Sequence, residues 1–427
     1  MKYKYFAPWD KLKTVVLGSF YDVEFFSTIK NDFIRSSLSK IAEETNEDLE
    51  NYQNVLKDFG CEVLRPKLNP NDRIDRYIDD GKVNYINPFG RVRTVPRPPL
   101  QTRDSCLVVK DKLYITHGDH SAIFECLDEY NKEDQVVLDF DLDTLDQSQK
   151  DELHEKYYKV RKTESWPSLD EIYDVDPSTL DPMTQMEVEY FQKYSRESMV
   201  HLLKAPCMTL IGKDLIVESA LFDLNRLQKI FDLRFSVVNE GGHSDGCFSP
   251  LVPGAIMTVK SPTLYSRTFP GWDVLHLPGH AKSSKFVSDI HAWKDKIGGR
   301  WYIDGSINEE LIEFTDTYLS ELTGFTIETI FDVNCLVLDR YHVCVSNLIP
   351  EAEEFFRRHK IEPIVVPFRH RHFHDGGLHC ITLDLYREGE MIDYFPDREQ
   401  QSIIDGSSRF AKIIGEHDTK PRGFSWN

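Results

Sequence analysis

Residues 375–384 read DGGLHCITLD, two glycines and a His-Cys pair running directly into an apolar stretch. Glycines let backbone approach a ligand closely, and a cysteine at a strand edge behind such a turn can present its sulfur to a pocket. Cationic neighbours there would favour the reactive thiolate, so Cys380 is the candidate nucleophile and Gly377 a candidate substrate contact. A second stretch, residues 240–248 (EGGHSDGCF), sets His243 two positions before Asp245. On a strand both side chains would face one way. Histidine is the usual general acid and base near neutral pH, and a carboxylate, which only accepts hydrogen bonds, suits the forked N–H groups of a guanidinium. Glu240 opens the same stretch. In residues 101–109 (QTRDSCLVV), Arg103 and Asp104 stand at the mouth of an apolar run, where a charged pair is either a structural ion pair or a site feature.

Residues 368–377 (FRHRHFHDGG) carry His370, His372 and His374, which raises the question of a metal. The interleaved arginines would place cations beside it and no carboxylate cluster lies nearby, so no metal is expected. Outside Cys380, the cysteines read as small reduced core residues.

The elements that must position these groups are short. Apolar runs at 14–17, 106–109, 215–217, 256–259, 335–338 and 364–366 read as buried strands, and 33–59, 306–321 and 351–359 have helical periodicity. KDKLYIT, GKDLIVES, PGAIMTVK and DRYHVCVS look like one recurring strand after a turn. Such weak internal repetition favours radial or stacked α/β units over one doubly wound sheet. Residues 139–205 are more acidic and less apolar than their flanks and read as a surface excursion. No long Gly/Ser/Pro linker divides the chain, so residues 1–427 are expected to form one domain.

Composition sets outer limits. The 427 residues carry 51 basic and 71 acidic side chains, a formal charge of −20 that opposes a phosphate backbone and excludes general nucleic-acid binding. No stretch approaches the roughly 20 apolar residues that span a bilayer, so no membrane partner is expected. The N-terminal residues show no apolar signal region. The eight cysteines contain no CxxC pair, which points to a reducing, cytoplasmic setting.

Taken in order, WDKLKTVVLG, TRDSCLVVKDKLY, SWPSLDEIYD, HSDGCFSPLVPGAIM, DVNCLVLDRYHVCVSN and GGLHCITLD resemble segments of the guanidino-group-modifying superfamily. Within it the similarity is to the glycine and inosamine-phosphate amidinotransferases, over nearly the whole length. The resemblance implies an α/β fold of the pentein kind, a five-bladed αβ propeller with pseudo-fivefold symmetry around a funnel. It implies Cys380 as nucleophile, His243 as proton shuttle, and Asp104 and Asp245 as the carboxylates that grip the guanidinium. Arg103, Glu240, Asp332, Asn334 and Gly377 complete the candidate substrate contacts. The expected partners are small molecules, arginine or another guanidine donor and an amine acceptor, with no cofactor and a possible homodimer. Where the family carries an acidic partner for the histidine, residues 201–214 (HLLKAPCMTLIGKD) place Lys204 and Cys207 ahead of the turn. Glu240 is then the candidate to orient His243, and Arg267 a displaced candidate for the substrate carboxylate. Attack by water in place of the amine would make the same machinery a guanidine hydrolase. Without catalysis the scaffold would be a binding protein.

Overall fold

The apolar runs fold into small sheets. A computed structural model describes residues 2–79, 82–83, 95–115, 123, 125–137, 205–217, 230–238, 243–259, 265, 268–277, 308–319, 322, 333–398 and 403–405. The expected excursion lies outside them, apart from Ala205.

Strand β1 (Lys11–Leu17) leads through helix α1 (Asp32–Asp58) to β2 (Glu62–Leu64), which lies parallel to β1. β3 (Ile78–Asp79) and β4 (Lys82–Val83) make a short hairpin. β5 (Cys106–Val109) and β6 (Lys112–Ile115) pair antiparallel, and β7 (Gln135–Val137) adds parallel to β6. The same order recurs in β8 (Met208–Ile211), β9 (Asp214–Val217) and β10 (Arg234–Val238). Helix α2 (Ser244–Cys247) precedes β11 (Phe248–Val252), β12 (Ala255–Thr258) and β13 (Asp273–His276), again antiparallel then parallel. Helix α3 (Glu309–Tyr318) is followed by β14 (Leu336–Val337) and β15 (His342–Val345), and α4 (Pro350–Arg358) carries the chain to β16 (Glu362–Val365), parallel to β15. After α5 (Arg371–His374), β17 (Thr382–Glu388) returns to pair antiparallel with β1, and β18 (Ile403–Asp405) adds parallel to β10.

The expected strands coincide with β1, β5, β9, β12, β14 and β16, and the expected helices with α1, α3 and α4. Each recurring turn-strand segment supplies the second strand of a hairpin. The turn before β9 needs Gly212, whose φ is +59° and whose added Cβ would lie 1.9 Å from the carbonyl oxygen of Ile392.

Helix α1 starts where the Asn31 side chain accepts from the amides of Phe33 and Ile34 at 3.0 and 3.1 Å. It buries Ile34, Leu38, Ile41, Leu49, Tyr52 and Leu56 at helical spacing. Leu12, Val15 and Leu17 of β1 pack into that cluster, whereas Val16 points the other way with Leu383 and Leu385 of β17, toward β5, β6, β8 and β9. Alternation along β1 thus joins the helix layer to the inner sheets. The stretch after β17 is bound on by charge. Arg398 donates to Asp214 at 2.8 Å, and Arg234 reaches Asp214 at 2.6 Å and Asp393 at 2.5 Å. No helix among the described residues is long and apolar enough to cross a membrane.

Candidate functional site

The segment between α5 and β17 is fixed from two sides. On the outside, Arg369 donates to Asp48 of α1 at 2.9 Å, His370 pairs with Glu44 at 2.6 Å, and the His374 ring meets the Thr45 hydroxyl at 2.9 Å. Burial lowers the pKa of both histidines, so they serve as neutral packing groups against α1. Asp375 then turns the chain with φ +50°. On the inside, Arg103 donates from Nε to the His379 carbonyl at 3.0 Å and from its amide to that of Cys380 at 3.3 Å.

Cys380 ends this turn, 2% exposed. Its thiol donates to Asp245 Oδ2 at 3.3 Å, and Asn334 Nδ2 donates to the sulfur at 2.9 Å. His379 Nδ1 lies 2.8 Å from the same Asp245 oxygen. Burial, helped by Arg103, holds His379 below the ordinary imidazole range. It is therefore a neutral ring donating Nδ1–H to Asp245. Burial pushes the Asp245 carboxyl up, but His379, His243 and Arg103 outweigh it and bring the pKa down to about 2, so the group is ionised at neutral pH. Its Oδ1 is buried and has no hydrogen-bond partner among the described residues. A buried anionic oxygen with spare acceptor capacity beside a sulfur is a place for a cationic N–H donor.

Beneath this group a cavity of about 40 Å³ is lined by Asp245, His379, Arg103, Asp384, Arg387 and Ser249 among others. That is room for about three water molecules. Arg103 pairs with Asp384 at 3.0 Å, and Asp384 pairs with Arg387 at 2.9 Å. Arg387 also donates to the carbonyls of Pro8, Asp10 and Val337 at 2.6 to 2.7 Å.

No protein-family model matches the chain. An L-arginine:L-lysine amidinotransferase of Pseudomonas savastanoi pv. phaseolicola is 24% identical over 202 residues, and the match spans 44% of this chain and 44% of the relative's own length. Among solved structures, SxtG, an amidinotransferase from Microseira wollei in the saxitoxin biosynthetic pathway, superposes with a TM-score of 0.51 at 17% identity, covering 92% of this chain and 99% of that one. The chain resembles the amidinotransferases. The match to SxtG establishes a shared α/β fold. The inosamine-phosphate amidinotransferase StrB1 of Streptomyces griseus has 15% identity, with the same coverage and a TM-score of 0.48.

Of the residues that the amidinotransferase resemblance singles out, the fold brings Cys380, Asp245 and Asn334 together, and His243 stands two residues before Asp245 at the start of the same helical turn. Residues 244–247 correct the expected strand: they form α2, because Ser244 and Asp245 favour a helix start and the Ser244 hydroxyl is tied to the Pro206 carbonyl at 2.6 Å. His243 stands at the N-cap with extended backbone. Arg103 lines the cavity beside Asp245 and is also bound into the structure. At 8% exposure it is bonded to Asp384 and to the His379 carbonyl, which is the structural ion pair, one of its two readings from the sequence. Asp104 closes the 3-10 turn Thr102–Asp104 and is paired with Arg97 at 2.8 Å. Gly377 packs against Asn334. Glu240, Asp332, Arg267 and Lys204 lie outside the described residues, and Cys207 is a buried residue beside β8.

Sequence reasoning gave no role to His379, Arg97, Gln101, Asp384 or Arg387. Gln101 Nε2 contacts the His374 carbonyl, and its Oε1 meets the Arg97 guanidinium, linking the Asp104 turn to the nucleophile segment. The available signal was position: Gln101 and Asp384 sit at the outer ends of the very motifs that were singled out.

Proposed function

We propose that this chain is an amidinotransferase that moves the amidino group of arginine, or of another guanidine donor, to an amine through a covalent adduct on Cys380. The observation that carries this reading is the Cys380 sulfur lying 3.3 Å from an ionised, buried Asp245 whose second oxygen has no described partner. The thiol donates to that carboxylate. A guanidinium seated on Asp245 takes over the acceptor and brings a positive charge beside the sulfur, so arrival of the donor itself favours the thiolate.

The thiol passes its proton to His243, and the thiolate adds to the guanidinium carbon, forming the C–S bond. Collapse breaks a C–N bond, and the leaving amine takes a proton from His243. The acceptor amine attacks the amidino carbon, gives its proton to His243, and the C–S bond breaks to return the thiolate. Five sheets with one strand order, antiparallel then parallel, support the finer reading of a five-bladed αβ propeller. A single domain over residues 1–427 fits β17 pairing with β1.

Intact-protein and peptide mass spectrometry after incubation with arginine tests this directly. An amidino adduct on Cys380, discharged by an added amine, is expected. L-lysine, named in the bacterial relative, and glycine are the first acceptors to try. Citrulline formed from arginine without any acceptor would replace transfer by hydrolysis, and an unmodified Cys380 would remove the reading altogether.

A guanidinium already sits on Asp104, that of Arg97. A donor that uses Asp104 competes with it, and a partly exposed pair is worth about 1 kcal/mol or less. Arg97→Ala is therefore expected to lower the KM for arginine by about two- to fivefold in steady-state kinetics. A raised KM would instead give Arg97 a share in holding the donor.

A further inference from the structure

The geometry points to Asn334 as a catalytic residue whose side-chain N–H stabilises the thiolate of Cys380 when it forms, in place of the substrate contact expected from the sequence. This inference rests on the proposed role of Cys380. A carboxamide has two N–H donors and two acceptor lone pairs. Asn334, fully buried, places Nδ2 within bonding reach of the Cys380 sulfur at 2.9 Å and of the Asp245 carbonyl at 3.2 Å. Its Oδ1 accepts the amides of His379 at 2.9 Å and Cys380 at 3.0 Å. All four positions are filled, which leaves no capacity for a substrate.

The same four bonds join the two chain segments the reaction needs. The turn carrying the sulfur hangs on Oδ1, and the helix carrying Asp245 hangs on Nδ2. Gly377 makes the arrangement possible: a Cβ there would lie 2.7 Å from Asn334 Cβ and 2.8 Å from Oδ1. The sulfur consequently sits between two influences of opposite sign. The amide N–H stabilises the negative form, whereas Asp245 Oδ2 at 3.3 Å stabilises the protonated one.

The test is the pH dependence of Cys380 alkylation by iodoacetamide, followed by peptide mapping, in the full-length protein. Asn334→Asp is nearly isosteric and keeps an acceptor for both backbone amides while replacing the donor at the sulfur with an oxygen. It is expected to raise the alkylation midpoint by about one to two pH units, the scale of a hydrogen bond to a charged group. Asp245→Asn is expected to move the midpoint down. Gly377→Ala, which alters no polar group but displaces the amide, is expected to raise it, and it serves if the aspartate variant does not fold. Turnover in the position 334 and 377 variants should fall about 100-fold with KM for arginine changed by less than about threefold, since an interaction with the reacting sulfur leaves donor binding alone. The aspartate also brings a negative charge that raises the midpoint by itself, so the charge-neutral Gly377→Ala is the variant that separates loss of the N–H donor from added charge. An unchanged midpoint in the folded Asn334 or Gly377 variant overturns the inference. The alkylation readout needs no arginine, so it separates this inference from the transfer reaction: an absent arginine adduct with shifted midpoints sinks only the proposed function.

Discussion

Cys380→Ser is expected to abolish turnover, by about 10⁴-fold or more as for loss of other enzymic nucleophiles, with stability changed by no more than about 1 kcal/mol. The hydroxyl inherits both neighbours of the sulfur: it can accept from Asn334 and donate to Asp245, so nothing polar is orphaned in a residue only 2% exposed. What it lacks is an accessible anion. A serine alkoxide is far harder to form than a thiolate, and the nearby base is an Asp245 carboxylate with a pKa of about 2, too weak to generate it. Turnover assays, intact mass after arginine and a thermal unfolding curve check the three parts together. Residual turnover near the wild-type rate would move the nucleophile elsewhere.

The second large effect concerns stability. Arg387→Met is expected to cost about 3 to 5 kcal/mol, the range for removing one partner of a buried ion pair. Arg387 is 1% exposed, and its loss leaves Asp384 with Arg103 alone and strips three backbone carbonyls of their donor. Burial pushes Asp384 up, but Arg387, Arg103 and His379 bring it down to about 2. A carboxyl depressed on folding adds stability that is complete above its unfolded pKa of about 3.9 and is lost as pH falls toward 2. Without Arg387 the folded value rises toward the unfolded one, so the acid limb of the stability curve should still begin at about 3.9 but be shallower and end at higher pH. Urea unfolding between pH 2 and 7 measures both effects. A variant as stable as the wild type, with an unchanged acid limb, would make the buried chain of charges dispensable.

How much of this was legible in the sequence depends on the distance between partners. KDKLYIT, GKDLIVES, PGAIMTVK and DRYHVCVS were readable because each contains a turn and the strand that follows it. The sheet of β1 and β17 was not, since Val16 meets Leu383 through a pairing that no local period announces. Cys380 and Asp245 could be singled out by residue type and neighbouring glycines. Arg103 could be read only as an ion pair or a site feature, because its partner Asp384 lies far along the chain. Asn334 lay in a recognised segment, but its four hydrogen bonds are visible only once three segments meet. The misread strand at 244–247 had local causes: Gly241 and Gly242 suggested a strand edge, whereas Ser244 and Asp245 start a helical turn.

The antiparallel union of β17 with β1 has a bearing on synthesis. Asp245, Asn334 and Arg103 all emerge from the ribosome before Cys380, and the sulfur is held against them once residues 382–388 zip onto β1, made earlier. A chain made only as far as β16 therefore has Asp245 and Asn334 without the sulfur between them. On the proposed chemistry, the thiol gains its neighbours only with the stitch that joins β17 to β1.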